Sequence, residues 1–162
     1  MSVRTAEVSG AAIGRTEWHA GLAAGFVGGL AEVGWIALHQ ATQGGDAGRV
    51  ARGVFETVAP GLAPQALAAP LGVAVHMMLS LALGLALAVA LRRFMDAASP
   101  SRAALAVVAT LVAIWAVNFF IVLPVLNPGF VTIVPYGVSL ISKALFGVAA
   151  ASVFFAWRRK TV

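Results

Sequence analysis

Two ionisable residues, Glu32 and Lys143, sit inside apolar runs long enough to cross a bilayer. An ionised group at the centre of a membrane costs roughly 2.5 to 3.5 kcal/mol on insertion scales and more in simulations, so each predicts a partner or a task. His76 lies in a third apolar run and Asn118 in a fourth. With the midpoint of each run at the bilayer centre and a rise of about 1.5 Å per residue, Glu32, His76 and Lys143 fall about 4 to 5 Å outward of centre and Asn118 about 7 Å. Four polar groups from four segments are thus expected in one layer.

Such a layer supports two chemistries. In the first, Glu32 and Lys143 form a buried ion pair, His76 and Asn118 complete its hydrogen bonds, and the whole fixes helix register. In the second, the layer lines a small polar cavity that binds or passes a proton, an ion or a small solute. Glu32 is then the acceptor, His76 the group that changes charge near neutral pH, and Lys143 the counter-charge. A haem- or quinone-associated subunit is a further class. A bis-imidazole haem needs two histidines at one depth, whereas His39 lies about 10 Å farther outward than His76, and His19 lies near the opposite face. A quinone asks only for apolar walls and one or two donors. For membrane catalysis the one pairing is Ser80 with His76, four residues apart, a spacing that ordinary helix packing also produces. No phosphate-cradling loop and no zinc-spaced histidine pair is present. The absence of cysteine removes disulfides, thiolate chemistry, cysteine-ligated zinc and iron–sulfur clusters. No cofactor or metal is predicted.

The elements that must position these groups follow from composition. Of 162 residues, 60% are hydrophobic and 10% charged, and the mean hydropathy is +0.93, whereas soluble domains carry about 25% charged residues. This predicts an all-α, polytopic membrane protein: one four-transmembrane-helix bundle with spans at Trp18–His39, Leu67–Leu91, Ala103–Leu123 and Pro135–Trp157. Residues 1–17 form a polar tail and 158–162 a basic one. Between spans 1 and 2, Asp46–Val58 sets Val50, Val54, Phe55 and Val58 among Arg49, Arg52 and Glu56 at roughly helical spacing, which predicts a short interfacial helix. Pro60, Gly61 and Pro64 break it, and Pro70 is tolerable only near the start of span 2. Ser99, Pro100 and Ser101 open span 3, Pro124 ends or kinks it, and Asn127, Pro128 and Gly129 form a turn. Phe130 to Val134 then read as an extended or partly re-entrant shoulder ahead of a first-turn Pro135.

Small residues mark the packed faces. Gly21, Gly25 and Gly29 recur every four residues beside Gly28, and Glu32 follows Gly28 by four and Gly29 by three. His76, Ser80 and Gly84 repeat by four in span 2, as do Ser139, Lys143 and Gly147 in span 4. Each set predicts an inward-facing stripe on which neighbouring backbones approach closely.

Arg4 and Arg15, then Arg92, Arg93 and Arg102, then Arg158, Arg159 and Lys160 share one side, while Arg49 and Arg52 on the other are offset by Asp46 and Glu56. The positive-inside rule predicts that both termini are cytoplasmic. The net charge of +5 and pI near 11.2 match anionic lipid headgroups as the charged partner, not nucleic acid, because no basic and aromatic surface motif accompanies them. A homo-oligomer or a larger membrane complex is the expected protein partner.

The Gly-rich first span, the run His76-Met77-Met78-Leu79-Ser80, and the segment holding Asn118-Phe119-Phe120, Leu123-Pro124 and Val134-Pro135-Tyr136 give the chain its resemblance to known proteins. It resembles small, uncharacterised bacterial inner-membrane proteins with four helices. The resemblance implies that membrane and that fold, and it carries no assigned site or reaction. The sequence therefore predicts a non-enzymatic integral membrane protein, an accessory subunit or structural component, with solute or proton handling and quinone or haem association as alternatives.

Overall fold

A computed structural model describes residues 15–161, and among them the regular structure is helical, with no strand. The first 14 residues, including Arg4 and Glu7, and Val162 lie outside the described residues. The elements are α1 (Arg15–Thr42), α2 (Ala47–Val58), α3 (Gln65–Ala97), α4 (Pro100–Val117), a π-helical turn (Asn118–Val122), α5 (Leu123–Leu126), α6 (Phe130–Ile133) and α7 (Tyr136–Thr161). Four stretches are long and apolar enough to cross a membrane: Glu17–Thr42, Gln65–Phe94, Pro100–Leu126 and Tyr136–Arg159. The chain is a multi-pass membrane protein with a shorter helix between spans 1 and 2.

The spans pack in the order α3, α1, α7, α4, with α1 and α7 at the centre. Glycine sets the first contact. A Cβ at Gly25 would come 2.8 Å from the Leu81 Cα, and one at Gly84 would meet the backbone of Gly21 and Gly25, so α1 and α3 touch main chain to main chain. Between α1 and α7 the fit is ring into groove: Phe146, fully buried, occupies the space a side chain at Gly28 would need. Gly147 instead admits Val108 of α4. Ala20, Ala24, Leu87, Ala88, Ala103, Val107, Leu111, Phe146, Ala150, Ala151 and Phe154 form one buried cluster that fills the half of the bundle nearer the α3–α4 connection. At that basic end Arg92 reaches Glu17 at 3.4 Å.

In the other half α3 and α4, although consecutive in the chain, stand apart. Here α2 bridges them. Ala51 lies against Gly72 of α3, and Phe130 of α6 lies against Gly53. The Asn127 amide donates to the Thr57 hydroxyl at 3.0 Å and to the Gly53 carbonyl at 3.3 Å. The apolar side of α2 is therefore pressed largely onto protein, with Val50 and Phe55 buried, where a free interfacial helix would lay that side on lipid. Its start is capped by Asp46, whose carboxylate accepts from Gly48 N–H at 2.7 Å and from Arg52 at 2.6 Å. The Arg52 guanidinium first, and the Gly48 amide second, hold this carboxyl below its ordinary range.

Two prolines shape the ends of the last two spans. Pro124 does not end the third span: the helix continues to Leu126. A proline inside a helix removes an N–H and presses its ring on the carbonyl four residues back. The chain absorbs this by widening into the π turn just before it, where Leu123 N–H bonds to the Asn118 carbonyl. Pro135 sits one residue before α7, its carbonyl accepting from Ser139 N–H at 3.1 Å. The shoulder ahead of it is a single helical turn over Phe130–Ile133, closed by Val134 N–H to the Phe130 carbonyl, with extended backbone only at Val134.

Candidate functional site

Glu32 occupies the seam between α1's two neighbours because Gly29, three residues before it, faces Ser80 and Met77 of α3, and Gly28, four before it, faces Phe146 of α7. Its carboxylate consequently meets groups from both. Lys143 Nζ lies 2.9 Å from Oε1 and 3.0 Å from Oε2. The Ser142 hydroxyl donates to Oε1 at 3.4 Å. From α3, His76 Nε2 lies 3.7 Å from Oε2. The Lys143 ammonium also stands 5.1 Å from the centre of the Phe146 ring, a cation–π contact. Exposure is graded: the Glu32 side chain is 6% accessible, that of Lys143 19% and that of His76 25%.

The graded exposure arises because the cluster borders a cavity of about 920 Å³. Glu32, His76, Ser80, Ser142 and Lys143 form its polar floor, and Asn118 lies on the α4 wall. Most of the remaining wall is apolar, including Val33, Ile36, Leu79, Leu83, Ile114 and Trp115. Towards the basic end the buried cluster around Leu87, Leu111 and Phe146 closes the floor. Towards the other end α2 covers the space, with Val50 joining Trp115, Phe119, Leu123, Phe130 and Val134 in a second buried cluster. Between α3 and α4 the walls end in exposed apolar residues, Val73 and Leu79 on one lip and Ile114 and Val117 on the other. These residues lie on the side of the bundle that an apolar phase would contact.

No protein-family model, curated protein or solved structure matches the chain.

Of the four polar residues expected in one layer, the structure brings Glu32, His76 and Lys143 into contact. It sets Asn118 on the same cavity without a hydrogen bond to them. The remaining bond to Glu32 comes from Ser142, which belongs to no four-residue repeat. A helix face combines steps of three and four, and Ser139, Ser142, Lys143 and Phe146 follow that mixed spacing. The expected packing residues divide between neighbours. Gly21, Gly25, Gly29, Ser80 and Gly84 build the α1–α3 contact and Gly28 the α1–α7 contact, while Ser139 and Gly147 face α4. Ser139 is fully engaged, accepting from Trp115 Nε1 at 3.0 Å and donating to the Tyr136 carbonyl at 2.9 Å.

The geometry bears on the other chemistries as well. Ser80 Oγ lies 3.5 Å from His76 Nε2, the same nitrogen that faces Glu32. A nucleophile relay needs the hydroxyl on one ring nitrogen and the acid on the other, so these three groups do not form one. Neither His19 nor His39 borders the cavity that His76 lines. Among the described residues no group of three metal-ligating side chains converges.

Proposed function

We propose that the protein is a binding protein for a small molecule within the membrane, with the Glu32–His76–Lys143 cluster as the polar end of its site. The observation that carries this reading is the cavity: about 920 Å³ of space reaches the cluster, within the range of roughly 300–1,000 Å³ typical of small-molecule sites. An ion pair kept only for helix register would be sealed among side chains. Here, Lys143 and His76 keep a face towards open volume. The wall has the composition of such sites, mostly apolar with a few convergent polar groups. A continuous path for ions has less support, because Phe146 and its neighbours fill the bundle beneath the cluster. The arginine distribution supports an orientation with both termini cytoplasmic, which puts the cavity in the outward half.

Photolabelling tests this reading. An alkyl diazirine presented to the purified protein in lipid nanodiscs is expected to label Leu79, Ile114 and Trp115 saturably. A cavity-filling Val33→Trp variant should lose that labelling while staying folded. Labelling that is unsaturable, is as strong at outward-facing Phe26 and Val148, and is indifferent to Val33→Trp would overturn the proposal.

A further inference from the structure

Resting on that reading, we infer that the ligand is a single-chain amphiphile with an uncharged, hydrogen-bond-accepting head, and that it enters from the bilayer between α3 and α4. The charge state of the floor decides the head. Glu32 and Lys143 carry one formal charge each, and both carboxylate oxygens are held by the same ammonium. A carboxylate head would set a second anion against Glu32, and a cationic head would compete with Lys143. Either one places an unpaired charge in a wall that is otherwise apolar, where charges are strongly disfavoured. A carbonyl, hydroxyl or ether oxygen adds no charge. It accepts from the third Lys143 N–H, which Glu32 leaves over, while the Asn118 amide, exposed on the same lining, forms no side-chain hydrogen bond among the described residues and is a second donor.

The π turn supports a ligand-facing role for Asn118. Such turns are frequent at functional sites, and this one, which accommodates Pro124, begins at Asn118. The route of entry follows from the lips. Val73, Leu79, Ile114 and Val117 are exposed and apolar, and among the described residues the charged side chains lining the cavity are Glu32 and Lys143 at its floor, with the ionisable His76 beside them. A water-soluble solute gains nothing at those lips. An alkyl or isoprenoid chain already dissolved in the bilayer passes them without leaving an apolar medium, and its head then reaches the polar floor. Isoprenoid quinones and long-chain alcohols or ketones share this chemistry.

The test uses three tail-brominated probes of equal chain length: ω-bromododecanol, ω-bromododecanoate and ω-bromododecyltrimethylammonium. They are added to the full chain in nanodiscs at alkaline pH, so that the carboxylate is ionised. Bromine quenches indole fluorescence on contact, and Trp115 on the cavity wall is the reporter, isolated by subtracting the signal of a Trp115→Phe variant. The alcohol is expected to quench Trp115 saturably and to bind at least threefold more tightly than either charged probe. Asn118→Leu, which breaks no side-chain hydrogen bond among the described residues, should weaken the alcohol by about threefold to tenfold, the effect of losing one hydrogen bond. Tighter binding of a charged probe, or an unchanged affinity in Asn118→Leu, overturns the head assignment while leaving the cavity as a binding site. The absence of saturable quenching by all three probes overturns the cavity reading itself. So does a dimer in which Leu79→Cys on one copy cross-links to Ile114→Cys on the next, since the opening is then an interface between copies.

Discussion

Lys143 grips both oxygens of Glu32, at 2.9 and 3.0 Å, from a helix more than a hundred residues away in sequence. The pair ties α1 to α7 at the level where α3 contributes His76, so three of the four spans are registered at one point. Removing one partner leaves the other charge in a poorly solvated site.

The single variants Glu32→Gln and Lys143→Met should therefore each destabilise the bundle by about 3 kcal/mol, the low end of the cost of breaking a buried pair, because part of the cluster borders the cavity. The double variant should regain more than half of that loss. Thermal unfolding followed by circular dichroism in detergent checks this as a double-mutant cycle. Additive losses would show that the two charges do not act as a unit.

Backbone contact between α1 and α3 makes a second prediction. Gly25→Ala forces a methyl group to 2.8 Å from the Leu81 Cα, where only backbone can move. A loss of about 1–3 kcal/mol is expected, as for overpacked cores. Gly34→Ala, on the same helix with nothing within 4 Å of the new Cβ, should be neutral or stabilising by about 0.5 kcal/mol through the helix preference of alanine. Equal effects of the two substitutions in the same unfolding assay would contradict the close helix contact.

The cap of α2 carries a pH dependence whose sign is fixed by Asp46. Its carboxyl is held below the ordinary value of 3.8 by Arg52 and Gly48. A depressed carboxyl pKa contributes stability above the unfolded value, and that contribution is lost as pH falls through the folded one. The start of α2 should thus be unchanged between neutral pH and about pH 5 and loosen only below about pH 4. Hydrogen exchange at the Gly48 and Arg49 amides, corrected for intrinsic rates, reads this directly. Asp46→Asn, which keeps an acceptor but not the charge, should abolish the acid-dependent step.

Periodicity made the membrane frame legible. The apolar runs and their polar breaks mark four spans, and Glu32, His76 and Lys143 share one layer because midpoints and rise suffice to compare depths across antiparallel helices. Rotation about each helix axis is harder to read. Asn118 has the right depth yet belongs to the α4 wall, and Ser142 completes the cluster through a three-residue step. The cavity itself has no sequence signature, because it exists where α3 and α4 fail to meet, and that follows from glycines and Phe146 drawing α1, α3 and α7 together elsewhere. Pro124 shows the same limit: it reads as a stop or a kink, and the π turn that lets the helix continue is a backbone adjustment that residue type alone does not announce.

Open space reaching the ion-pair layer separates a binding site from a sealed pair, and the lack of cysteine in the sequence makes one measurement direct. Val33→Cys places a thiol on the cavity wall beside Glu32, and Ala24→Cys places one in the sealed cluster two turns away. Treated with a small neutral methanethiosulfonate reagent in nanodiscs, the Val33→Cys thiol should react, and a bound amphiphile should slow it. The Ala24→Cys thiol should stay unmodified until the protein unfolds. A Val33→Cys thiol as inert as the one at position 24 would mean that Glu32 and Lys143 are sealed together, and the binding-site reading would fall.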